Sequence, residues 1–119
     1  MDQLTYIAAT TGIVLVALFL VRRLVTGRLV SGGEAKQLVA DGATLVDVRS
    51  PGEFAAGHID GAVNIPVGDV SSRASEIPKG RPVVLYCASG IRSGVAARTL
   101  RSAGRTDVHN LGGISRWPG

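Results

Sequence analysis

The chain has 119 residues, with 13 Lys and Arg against nine Asp and Glu and a single cysteine, which suits one small domain and an appendage. Its net charge is +4, but from residue 29 onward ten basic residues meet eight acidic ones and leave only +2; with no clustered basic and aromatic residues, no nucleic-acid partner is expected. One cysteine excludes an internal disulfide framework and any Cys-x-x-Cys site, and His58 and His109 stand too far apart to nucleate a ligand cluster, so neither metal nor cofactor is expected.

Gln3 to Val21 is a run of 19 residues without a charge. As a helix rising about 1.5 Å per residue it covers roughly 28 Å, close to the ~30 Å hydrocarbon core of a bilayer. Asp2 precedes the run and Arg22, Arg23 and Arg28 follow it, the reverse of a cleaved signal, which begins basic and ends on small residues. Residues 1–24 are therefore predicted to be a single transmembrane anchor that meets the membrane through residues 3–21. Residues 25–29 follow as a juxtamembrane linker and 30–119 as the folded domain. The positive-inside rule places the N-terminus outside and the domain in the cytoplasm, a reducing compartment that suits one free thiol.

Ser31-Gly32-Gly33-Glu34 has the pattern of a capping box and predicts a short helix through Val39, closed near Gly42. Thr44 to Val48 is apolar and β-branched and reads as a strand. Ser50-Pro51-Gly52-Glu53 is a second capping box, with proline at the first helical position where its missing N–H costs nothing. Ala62 to Ile65 reads as a short strand stopped by Pro66, and Asp69 to Glu76 as a weaker helix stopped by Pro78. Val83 to Tyr86 is a strand, Arg92 to Ala103 a helix ended by Gly104, and Val108 to Leu111 a last short strand. This alternation predicts an α/β domain with a mainly parallel sheet, whose ligands bind beyond the carboxyl ends of the strands. Asp47 and Cys87 both fall at such ends.

Cys87 closes an apolar strand and opens the loop Cys87-Ala88-Ser89-Gly90-Ile91-Arg92, which runs into a helix. Free amides and the dipole at a helix start favour thiolate over thiol. Gly90 lets successive amides curl toward one point, and Arg92 adds positive charge. The arrangement reads as a cradle for an anion centred on sulfur. A core cysteine acting as a small hydrophobe needs neither the glycine nor the arginine.

Five motifs in order, Asp47-Val48-Arg49, Glu53-Phe54, Gly57-His58-Ile59-Asp60-Gly61-Ala62-Val63-Asn64-Ile65-Pro66, Cys87-Ala88-Ser89-Gly90-Ile91-Arg92-Ser93 and Gly112-Gly113-Ile114-Ser115-Arg116-Trp117, resemble those of single-domain rhodaneses and cover about residues 29 to 119. The resemblance implies a five-stranded, mainly parallel sheet with helices on both faces, here preceded by one transmembrane helix. It also implies sulfurtransferase activity through a persulfide on Cys87, with Ala88, Ser89, Gly90, Ile91, Arg92 and Ser93 forming the substrate-binding loop. The donor would be a small sulfur compound such as thiosulfate or a persulfide, the acceptor a thiol or protein cysteine, and no organic cofactor is required. The family's last helix normally continues beyond the Gly-Gly-x-x-x-Trp motif, so a thin cover is expected after Trp117.

Around the cysteine, Asp47 and Arg49 are expected to form a structural pair bracing loops at the sheet's edge. His58 is expected to tie down backbone by hydrogen bonding. Glu53 reads as a helix-start residue and Trp117 as packing. Arg92 either binds a substrate anion or braces the loop, while Ser89 and Ser93 can donate hydrogen bonds to a persulfide or to substrate oxygens. Two rival functions stand beside sulfur transfer. A cysteine phosphatase or arsenate reductase would usually carry Cys-x5-Arg, whereas Cys87 and Arg92 make Cys-x4-Arg, a smaller ring that suits one sulfur atom better than a tetrahedral oxyanion. A membrane-tethered sulfur-carrier or interaction module would leave the chemistry to its partner.

Overall fold

The computed structural model describes residues 2–26 and 28–119, with the backbone alone for 21–26. Helix α1 spans Gln3–Thr26 and starts where the Asp2 carboxylate accepts the Thr5 amide at 2.7 Å. Its window Gln3–Leu20 has a mean hydropathy of 1.9 and no buried residue, so by length and composition it can cross a membrane. The helix runs two residues beyond the expected end of the anchor at residue 24. Gly27 of the expected linker, and the side chains of Arg22 and Arg23, lie outside the described residues.

The domain that follows is built on parallel strands β1 (Thr44–Asp47), β2 (Val63–Asn64), β3 (Val83–Cys87) and β4 (Val108–Gly113), in the order β2-β1-β3-β4. Helices α2 (Gly32–Ala40), α3 (Pro51–Ala56), α4 (Val70–Arg73) and α5 (Ile91–Ser102) connect and cover them. Alternation along β3 explains the two layers. Val83, Leu85 and Cys87 join a cluster with Ala96, Ala97 and Leu100 of α5 and Val70 of α4, while Val84 and Tyr86 join Ala35 of α2, Ile59 and Leu111 on the other face. Helices thus lie on both faces, as expected, and side chains of period two decide which face each residue serves.

The described residues form four strands, where five are implied by the resemblance. Leu29 makes one isolated parallel bridge to Asn110, and the Val30 amide bonds the Asn110 carbonyl at 2.9 Å. One residue later Ser31 caps α2, its hydroxyl accepting the Glu34 amide at 3.1 Å. A segment committed so soon to a helix is too short to extend the ladder.

The first capping box is half made, since only the Ser31 side chain bonds. The second is complete, with Ser50 and Glu53 each accepting the other's amide. The weak helix over Asp69 to Glu76 is broken into 3-10 turns at Val67–Asp69 and Ala74–Glu76 on either side of α4. At the C-terminal side a 3-10 turn, Ile114–Arg116, leads to Trp117, which packs half-buried against the α2-side cluster. The Arg116 guanidinium ties this segment to the Leu111 carbonyl at 2.7 Å and the Val30 carbonyl at 3.0 Å.

Candidate active site

Strand β3 carries Cys87 to the carboxyl end of the sheet, where the residue is fully buried. The chain then turns through Ala88 and Ser89 into Gly90, whose φ of +106° is the left-handed conformation that favours glycine. Behind this loop the β3–β4 pairing slips. Leu85 pairs with Asn110 but Tyr86 pairs with Gly112, so Leu111 is the extra residue of a bulge. The bulge brings two glycines against the loop. A Cβ on Gly113 would stand 2.8 Å from the Ala88 carbonyl oxygen, and one on Gly90 would stand 3.4 Å from the Gly112 Cα. The backbones approach this closely because Gly90, Gly112 and Gly113 carry no side chains.

The loop converges on sulfur. The Gly90 amide donates to Cys87 Sγ at 2.9 Å, and the Ser93 hydroxyl lies 3.4 Å from the same atom. Ser93 is fully buried and its hydroxyl also donates to the Gly90 carbonyl at 3.1 Å. One hydroxyl proton can serve only one acceptor at a time, so it can turn to the sulfur when charge appears there. Burial pushes the Cys87 thiol up, but the Ser93 hydroxyl and the amides of Ser93, Gly90 and Ser89 outweigh it and hold the thiol below its ordinary value.

A second layer holds the loop. Arg92 forks onto Glu53, with Nη1 2.6 Å from Oε1 and Nη2 3.0 Å from Oε2. Oε1 also accepts the Ser50 amide at 3.1 Å and the Ser50 hydroxyl at 3.0 Å. The Arg92 guanidinium, aided by Ser50, lowers the Glu53 carboxyl to about 2. These contacts let Arg92 brace the loop.

Deeper in, Arg49 and the fully buried Asp47 form the expected pair at 2.6 Å, and Arg49 Nη2 reaches the Gly57 carbonyl at 2.7 Å. The Arg49 guanidinium lies over the Tyr86 ring, 5.8 Å from its centroid, and the Tyr86 hydroxyl accepts the Ile59 amide at 3.1 Å. Burial pushes the Tyr86 hydroxyl up to about 12, so it stays neutral. His58 is exposed, stacked on Phe54 with ring centroids 3.7 Å apart, its Nδ1 donating to the Phe54 carbonyl at 2.9 Å. It ties backbone, as expected.

The structure therefore brings Cys87, Ser89, Gly90 and Ser93 together at the sulfur, with Ala88, Ser89 and Ile91 exposed around it. Asp47, Arg49 and His58 stand behind as braces. Ser93, which the sequence offered as a donor to the sulfur, lies in the first turn of α5 with its hydroxyl at the thiol. The Glu53–Arg92 link, which joins residues 39 apart, was not foreseen. Sequence reasoning quoted Gly112 and Gly113 without seeing that they form the floor of the loop; their adjacency was the available signal.

Residues 31–118 match the rhodanese-like domain family. YqhL of Bacillus subtilis, an uncharacterised protein, is 51% identical over 78 residues, which span 65% of this chain and 62% of that one. The thiosulfate sulfurtransferase PspE of Escherichia coli is 41% identical over 71 residues, 58% of this chain and 68% of PspE. Among solved structures, the human single-domain sulfurtransferase TSTD1 superposes with a TM-score of 0.65 at 38% identity, covering 72% of this chain and 89% of that one. The chain thus spans less than two thirds of the length of YqhL.

Proposed function

The chain belongs to the rhodanese-like domain family, and from that premise we propose that it transfers sulfane sulfur through a persulfide on Cys87, from thiosulfate or a related donor to a thiol or protein cysteine. The observation that carries this reading is the convergence of the Gly90 amide and the Ser93 hydroxyl on one buried sulfur. The Cys87 thiolate attacks the outer sulfur of the donor. With thiosulfate, the S–S bond breaks and its electron pair leaves with sulfite, so a charge of −3 enters and −3 remains as persulfide and sulfite. The acceptor thiolate then takes the outer sulfur and restores Cys87. Donated hydrogen bonds from the loop stabilise the anionic sulfur in both half-reactions, and a covalent intermediate predicts ping-pong kinetics.

Ala88, Ser89 and Ile91, exposed around the buried sulfur, are the side chains a donor meets first. The phosphatase reading is disfavoured by the same geometry. With the Gly90 amide already bonded to Sγ, and Arg92 already forked onto Glu53, little of the loop is left to embrace a tetrahedral oxyanion. The test is intact mass spectrometry of the full chain in detergent after incubation with thiosulfate. One sulfur, about 32 Da, should be added and then removed by cyanide, and Cys87→Ser should show neither adduct nor turnover. Turnover without Cys87 would end this reading; no adduct and no turnover in the unmodified chain would favour a partner-dependent module.

In the same proposal α1 spans a membrane, with the N-terminus outside and the rhodanese-like domain in the cytoplasm. Support comes from the apolar window Gln3–Leu20, with no buried residue, and from Arg28 beyond it.

A further inference from the structure

We propose that Glu53 sets the charge preference of the sulfur-donor site: by holding both ends of the Arg92 guanidinium it neutralises the one side-chain cation of the Cys87 loop, so that donors of low charge are favoured over dianionic ones. This rests on the sulfurtransferase reading above and names the residue that tunes it.

The geometry is that of a latch. Arg92 gives both of its terminal nitrogens to the Glu53 carboxylate, at 2.6 and 3.0 Å, the bidentate arrangement in which a guanidinium is most fully engaged. The carboxylate is itself fixed. Its Oε1 accepts the amide and the hydroxyl of Ser50, while the Glu53 amide donates to the Ser50 hydroxyl at 3.2 Å. The cap of α3 thus presents a preset negative charge to the first turn of α5. Arg49 is closed in the same way on Asp47. Both arginines arrive with their own carboxylates; the hydrogen bonds that reach the sulfur come from neutral dipoles, and Arg92 acts on it only through space.

Neutral dipoles suit some charge loads and not others. Attack on a protonated persulfide, R–S–SH, moves the SH group to Cys87 and expels R–S⁻, so the site carries −1 before and after. Attack on thiosulfate brings a dianion to a thiolate and keeps −3 in one place. Two or three amides and a hydroxyl stabilise a single charge on sulfur well. A dianion beside it calls for a cation. Ile91, 77% exposed at the mouth of the loop, offers an apolar contact to the carbon skeleton of an organic donor and nothing to an inorganic anion.

The experiment measures kcat/KM for two donors with one acceptor, on the full chain in detergent. The donors are thiosulfate and the persulfide of N-acetylcysteine methyl ester, whose carrier is uncharged. Glu53→Gln releases Arg92 and should move the thiosulfate-to-persulfide ratio at least about tenfold toward thiosulfate; Glu53→Gln with Arg92→Gln should return the ratio toward that of the unmodified protein. Equal loss for both donors in Glu53→Gln would overturn the proposal, since a carboxylate that only holds the loop affects both alike. A measurement that needs no variant guards against misfolding. In the unmodified protein, thiosulfate kcat/KM should stay level or rise with ionic strength, and a steep fall would reveal an uncompensated cation and overturn the proposal. If neither donor adds sulfur to Cys87, the sulfurtransferase reading itself fails; if both load but the ratio is fixed, only the role of Glu53 fails.

Discussion

At the scale of single residues the site depends on Ser93 more than on any charge. Its hydroxyl stands 3.4 Å from Cys87 Sγ, and among the groups that lower the thiol it acts most strongly. Ser93→Ala leaves the burial, which raises the thiol, and removes its main opponent. The thiol in the variant should therefore titrate higher, and each unit of rise removes about tenfold of thiolate at pH below both values. The rate of sulfur loading from thiosulfate should fall at pH below both values, while the two proteins converge at alkaline pH, where both thiols are ionised. A pH profile of loading rate checks this; a uniform loss at every pH would mean that Ser93 only packs. Local chemistry of this kind was partly legible in the sequence. Asp47 and Arg49, two residues apart, and His58 beside Phe54 pair within their own segments. Glu53 and Arg92 meet only because strands β1 and β3 are neighbours, and no spacing in one sequence reports that.

Elements show the same division. Four strands were legible because Val, Leu and Ile runs of strand length are bounded by glycine and proline. A fifth was implied by resemblance alone, and Leu29–Val30, cut short by the Ser31 cap, supplies one bridge in its place. The β-bulge was not legible, since one extra residue at Leu111 leaves no trace in hydrophobic pattern. Its effect can be tested with a contrasting pair of glycine substitutions. Gly113→Ala sets a methyl 2.8 Å from the Ala88 carbonyl, so the loop must move, at about 1–3 kcal/mol, and kcat/KM should drop at least tenfold. Gly94→Ala, inside α5, meets only the Asn110 side-chain amide at an ordinary 3.7 Å and should stabilise the helix by about 0.5–1 kcal/mol. Thermal unfolding with donor kinetics measures both. Retained activity in Gly113→Ala would show that the close approach is incidental.

For the whole molecule, the proposed membrane orientation is tested by labelling a chosen thiol. Cys87 is fully buried and makes a poor reporter, so the label belongs on an exposed position. In a Cys87→Ser background, Lys79→Cys places a thiol on the exposed turn before β3. A membrane-impermeant maleimide should reach it only after the cells are permeabilised, and labelling of intact cells would reverse the proposed orientation. The point where α1 leads into the domain has a mechanical consequence. Leu29 and Val30 lie along the outer edge of β4, held by the Val30–Asn110 bond and by Arg116 on the Val30 carbonyl. Asn110 also holds the Gly112 amide through its side chain, at 2.9 Å. Any force entering the domain through Leu29 meets the Val30–Asn110 bond first, and Asn110 is the residue that fixes the Gly112 amide at the floor of the Cys87 loop.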